Sequence, residues 1–176
     1  MTVHDYLLLP EAGPRFQLIN GEFHMAPAPN TYHQIISRNL AYTLMRFLED
    51  QPLGEVFIAP FDVYLGDVDV FQPDICFFSE GQQNYLDERG ATSAPQLVIE
   101  ILSPGSQRLD LGPKKDAYAR YGTRELWLID PQKRELAVYS LQEDATRPVR
   151  VLRQEDALTS AMLPGLEVPL GRIFAR

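Results

Sequence analysis

Gln96-Leu97-Val98-Ile99-Glu100-Ile101-Leu102-Ser103-Pro104 is the stretch around which the rest of the chain organises itself. In an extended segment, alternate residues share a face, so Val98, Glu100 and Leu102 point one way and Leu97, Ile99 and Ile101 the other. Apolar residues on both faces predict a central strand covered from both sides. Glu100 then stands in a core, which is costly unless the acid is paired or binds a cation. Gln72-Pro73-Asp74-Ile75-Cys76-Phe77-Phe78 repeats the pattern, with Asp74 on the face of Cys76 and Phe78. If the two strands are neighbours their acids converge, and like charges repel unless a proton or cation lies between them. Mg²⁺, which takes a few carboxylate oxygens and several waters, fits that need. An ion pair with Arg or Lys explains a single buried acid equally well; two together favour a site.

The flanking sequence predicts the elements that frame these strands. Phe16–Ile19, Asn20-Gly21 and Glu22–Met25 read as a hairpin, because a two-residue turn with positive φ suits Asn-Gly. Pro27, Pro29 and Asn30 break the chain, and Asn30 or Thr31 caps a helix to about Asp50, with Ile36, Leu40, Leu44 and Phe47 on one stripe and His33 near its start. Glu55 to Leu65 is expected as a strand turning at Gly66-Asp67, and Ser79 to Pro95 as a long surface loop. A helix from about Asp110 to Tyr121, ended by Gly122, precedes strands at Glu125–Asp130 and Glu135–Tyr139. This order implies an α/β or α+β fold, a mixed sheet flanked by helices, in one domain over 1–176.

On the second helix, Leu111, Lys114, Tyr118 and Tyr121 fall three and four apart, so Lys114 lies on an apolar stripe and Lys115 about 100° away. A lysine there neutralises the acid pair or stabilises charge developing on a phosphate; the plain alternative is a packed stem with a solvated head. Lys115, Asp116 and Arg120 fit a solvated face, with Asp116 and Arg120 spaced for an ion pair. Glu22, directly after a turn, is expected at the surface, and His33 reads first as a hydrogen-bonded interior residue. Asp67-Val68-Asp69 lacks the Gly and distal Glu of a calcium loop and reads as a solvated hairpin end.

The formal charge of −8 opposes non-specific binding to phosphate backbones, and no basic residue occurs between Phe47 and Glu88. Basic residues gather between Arg108 and Arg134, where contact with an anion is expected. Cys76 has no partner for an intramolecular disulfide and reads as a core residue of a reducing compartment. With no export signal or membrane anchor in the sequence, a cytoplasmic protein is expected.

Proline-aspartate, a buried Glu one strand later and then a lysine is the order of the PD-(D/E)XK nucleases. The chain resembles the Uma-type restriction endonuclease family within that superfamily. The resemblance rests on Leu18-Ile19-Asn20-Gly21-Glu22, His33-Gln34, Pro73-Asp74, Val98 to Pro104, Asp110, Lys114 with Tyr118 and Gly122, and Glu125 to Pro131. The superfamily lysine usually stands two residues after the second acid, a position held here by Leu102, so Lys114 is the family match. The resemblance implies a restriction-endonuclease-like fold, Asp74 and Glu100 as metal ligands, Lys114 as charge stabiliser, Glu22 as an additional acid near the metal and His33 as a site-lining residue. It also implies phosphodiester hydrolysis in DNA with Mg²⁺, for which Mn²⁺ substitutes. A homodimer is expected, because one domain of this size offers little surface to grip a duplex. The rival reading is a non-catalytic protein-interaction module on a nuclease-like fold, which the acidic stretch before Arg89 suits.

Overall fold

A computed structural model describes residues 1–10, 14–26 and 28–176; Pro27, expected to help break the chain, lies outside them. The chain opens with α1 (Val3–Leu7), capped by Thr2, and the hairpin of β1 (Phe16–Ile19) and β2 (Glu22–Met25). Asn20 and Gly21 both take positive φ, 50° and 77°, as a tight two-residue turn requires. The helix α2 (Thr31–Asp50) follows, and the Asn30 side chain accepts the His33 backbone N–H at its start. Ile36, Leu40 and Leu44 form its buried stripe.

The span Glu55–Leu65 divides, contrary to the single strand expected, into β3 (Gly54–Ile58) and β4 (Val63–Leu65), which join different sheets. Between them stands Pro60, which cannot donate a ladder hydrogen bond. Next come β5 (Asp69–Phe71) and β6 (Ile75–Ser79). The expected loop from Ser79 to Pro95 contains a 3₁₀ turn over Glu80–Tyr85 and the short pair β7 (Leu86–Asp87) and β8 (Gly90–Ala91). Then follow β9 (Leu97–Ile101), the one-turn α3 (Gln107–Leu109), a kinked turn over Asp110–Lys114 in which Gly112 departs from helical φ and ψ, and α4 (Lys115–Tyr121), closed by Gly122 at φ 97°. The helical segment therefore begins earlier than expected and is kinked at Gly112-Pro113, where proline has no N–H to continue the ladder. The rest of the chain forms β10 (Glu125–Asp130), β11 (Glu135–Ser140), β12 (Arg150–Arg153), β13 (Ala157–Leu158), β14 (Val168–Pro169) and α5 (Leu170–Ile173).

Among the described residues the main sheet has the order β12-β11-β10-β9-β6-β3, and the second β2-β1-β5-β4-β8-β7. In the main sheet β9 and β10 run parallel, joined through α3 and α4, and the other pairs are antiparallel. This mixed α+β architecture matches the fold class expected. Leu97, Ile99 and Ile101 pack toward α2 with Trp127 and Ile129, whereas Val98, Leu126 and Leu128 pack toward Ala117 and Tyr118 of α4. The period-two reading of Gln96–Pro104 thus corresponds to two cores, one on each face. No helix among the described residues is long and apolar enough to cross a membrane.

Candidate active site

The register of β6 against β9 pairs Ile75 with Ile99, so one further step sets Asp74 opposite Glu100. Asp74 lies just ahead of β6 rather than within it, and its side chain completes the ladder there: Oδ2 accepts the Ile101 N–H at 2.7 Å. A buried backbone donor at the end of a central strand needs such a partner. The same oxygen lies 3.2 Å from Nε2 of His33, which the first turn of α2 delivers. Burial pulls the His33 pKa down, but the hydrogen bond and charge of Asp74, with Glu100 behind, outweigh it and hold the imidazole above its ordinary value. Nδ1 of His33 is buried with no hydrogen-bond partner among the described residues.

Glu100 points to the opposite face of β9 from Ile101 and meets the kinked turn after α3. Lys114 Nζ stands 2.6 Å from its Oε1 and 3.0 Å from Oδ1 of Asp110, and the Tyr118 hydroxyl donates to Oε1 at 2.9 Å. All four side chains are buried. Asp110 and Lys114 stand four residues apart on either side of the kink, and both side chains reach inward. Burial pushes the Glu100 carboxyl well above the usual carboxylate range, against the opposing pull of Lys114. Burial also disfavours the charged ammonium, but two carboxylates within hydrogen-bonding distance more than reverse this and keep Lys114 cationic. The negative charges of Asp110 and Asp74 add to the upward push of burial on Glu100.

Asp74, Glu100, Asp110, Lys114 and His33 all line one cavity of about 990 Å³. The structure does not bring Glu22 to this group. Glu22 lies on β2, the outermost strand of the second sheet, with its side chain 81% exposed and His24 Nε2 3.9 Å away. Asp110 is the member that sequence reasoning did not single out as a site residue; its signal was the spacing of four to Lys114, which makes oppositely charged helical neighbours. Asp69 departs further from expectation. It is fully buried, not solvated, and accepts the Asn20 N–H at 2.7 Å, Arg120 at 3.1 Å and the Tyr121 hydroxyl at 3.1 Å. Arg120 thus pairs with Asp69 rather than the expected Asp116, and Lys115 rests over the Tyr139 ring at 5.1 Å. Buried acids are not all part of the site: Glu125, at the other end of β10, is satisfied by the Trp127 indole, Ser160 and the Ala161 N–H.

The donor set fits a divalent cation. Oδ1 of Asp74 and Oε2 of Glu100 accept no hydrogen bond among the described residues, and the ammonium of Lys114 is already shared between Glu100 and Asp110. Among the described residues no group of three or more His, Cys, Asp and Glu has the geometry of a protein-only metal cage. A centre built from two carboxylates and completed by water does not require one.

No curated protein matches the chain. A protein from Anabaena variabilis, described as a putative nuclease belonging to DUF820, has a similar crystal structure: TM-score 0.83 at 22% sequence identity, over 99% of this chain and 97% of that one. Likeness at that identity speaks for the fold. The family Uma2, described as "Putative restriction endonuclease", matches residues 3–171, and the chain belongs to that family.

Proposed function

We propose that the protein is a Mg²⁺-dependent endonuclease of the PD-(D/E)XK type that hydrolyses phosphodiester bonds of DNA, with Mn²⁺ able to substitute. One observation carries the reading: Asp74, Glu100 and Lys114, from three separate elements, line a single cavity. Asp74 and Glu100 would hold the metal through the oxygens they leave free. When bound, the metal supplies Lewis-acid polarisation of the phosphate and a more acidic water.

The chain's own groups do the positioning. An ammonium has three donors; Glu100 and Asp110 take two of those on Lys114, leaving one for a phosphate oxygen as negative charge builds there. Asp110 holds Lys114 charged and in place, and the Tyr118 hydroxyl fixes Oε1 of Glu100. The Ile101 N–H and His33 hold Oδ2 of Asp74, which leaves Oδ1 to the cavity. A homodimer in a reducing, cytoplasmic setting completes the reading.

Titration calorimetry with Mn²⁺ tests it directly. Wild-type protein is expected to bind, whereas Asp74→Ala and Glu100→Ala are not; incubation with plasmid, single-stranded DNA and RNA then identifies the substrate. A wild-type protein that binds no metal would leave the non-catalytic module, with Lys114 as the permanent counter-charge of Glu100, as the better account.

A further inference from the structure

Resting on the nuclease reading, we propose that the cavity admits a single strand of nucleic acid, and that the exposed stripe of α2 bearing Arg38, Tyr42 and Met45 is the track on which the strand lies. Exposure falls steeply from rim to floor: Tyr42 is 71% exposed, Ile58 47% and Met45 40%, whereas the Asp74 side chain is 20% and that of Glu100 only 4% exposed. A duplex carries its phosphates on a rod that stays stiff over about 150 base pairs, so it reaches a recessed carboxylate poorly. A single strand bends at every nucleotide and can enter.

The rim has the composition such a strand needs. Gln34, Arg38 and Tyr42 follow one another at intervals of four, with Met45 three further on, and all of them line the cavity. They run for about 16 Å along the helix at 1.5 Å per residue, room for a few nucleotides leading toward Asp74. A guanidinium takes a phosphate, an aromatic face takes a base and an apolar side chain takes a sugar edge, a combination typical of sequence-tolerant strand binding. Among the described residues the Arg38 guanidinium bonds the neutral Asn39 amide oxygen and no carboxylate, which leaves its charge to a phosphate. Arg46, two turns on, is by contrast engaged with Glu49 and Asp50, which ends the cationic stretch. Arg15, ahead of β1, adds a second guanidinium to the same cavity. In a chain of formal charge −8, two guanidiniums and an exposed tyrosine lining one cavity mark the face that suits an anionic polymer.

Fluorescence anisotropy provides the test, with EDTA to prevent cleavage. Labelled oligothymidylate and oligouridylate of about 12 nucleotides, within the usual span of such grooves, are compared with a duplex of equal length. The single strands are expected to bind more tightly. Tyr42→Ala is expected to weaken them about tenfold and Tyr42→Trp to retain binding, since stacking needs only an aromatic face. Arg38→Ala is expected to flatten the dependence of log affinity on log salt by about 0.7. Preference for either oligomer supports the track and identifies the sugar it accepts. Both side chains project from the exposed face, so unchanged thermal melts accompany the three variants. Duplex binding as tight as strand binding, or indifference to Tyr42→Ala, overturns the proposal. Tyr42-dependent strand binding without cleavage in Mn²⁺ supports the track and sinks the nuclease reading; duplex cleavage indifferent to Tyr42 does the reverse.

Discussion

Replacing Lys114 by methionine removes the ammonium while keeping an apolar stem of similar length, and the consequence is calculable from the site. The ammonium lies 2.6 Å from Glu100 and 3.0 Å from Asp110. At an effective dielectric constant of about 20, these separations correspond to roughly 6 and 5.5 kcal/mol of Coulomb attraction. Most of that is offset, because the lysine no longer has to leave water and Glu100 can take up a proton. What remains is the cost of leaving buried carboxylates without their cation, about 3–5 kcal/mol. Urea unfolding followed by circular dichroism measures it as a fall in midpoint at constant slope. Addition of Mn²⁺ is expected to recover part of the loss, because a divalent ion between Asp74 and Glu100 replaces the missing positive charge and binding stabilises the native state. Lys115→Met, one residue on and lying over the Tyr139 ring, is expected to cost less than about 1 kcal/mol. A Lys114→Met loss below about 1 kcal/mol, or equal losses from both substitutions, would refute the charge balance described for the site.

Three further outcomes follow from other parts of the structure. Asp69→Ala strips the acceptor from a backbone N–H, a guanidinium and a hydroxyl, so a loss of about 3 kcal/mol is expected in chemical unfolding, and a loss under about 0.5 kcal/mol would mean that the residue is solvated after all. At Asp130 burial pushes the carboxyl up, but the Lys133 N–H, its ammonium and the Gln132 N–H outweigh it and lower the pKa. A lowered carboxylate stabilises the fold above its unfolded value, near pH 4, and the contribution disappears as the pH falls through the folded value. Asp130→Ala is therefore expected to cost about 1 kcal/mol at neutral pH and progressively less toward acid, and a deficit independent of pH would count against the capping role. Glu22→Gln is expected to leave Mn²⁺ affinity unchanged in calorimetry, because the side chain stands outside the cavity; a severalfold weakening would bring Glu22 back to the metal, as the family resemblance implies.

The elements whose signals are local were legible in the sequence. Asn20-Gly21 announces its hairpin because the positive φ values are a property of those two residues. Asn30 and the Ile36-Leu40-Leu44 stripe mark α2 because a cap and a periodicity of 3.6 act within one or two turns. The two-sided apolar run of Leu97–Ile101 announces a buried strand, and with it the anomaly of Glu100, through strand alternation alone. What lay beyond reach depended on which strands become neighbours. The split of Glu55–Leu65 between two sheets, the burial of Asp69 beneath Arg120 and Tyr121, and the exclusion of Glu22 from the cavity are set by contacts between residues tens of positions apart. Charge identity is written in each residue, but the partner that answers a charge is chosen by packing: Asp116 was near Arg120 along the helix, yet Asp69 was close in space and out of water, where an unpaired acid costs most. The sequence thus determined where strands and helices form and which buried acid is out of place, whereas the tertiary structure alone decided what surrounds that acid, because burial and Coulomb energy depend on distance through space rather than along the chain.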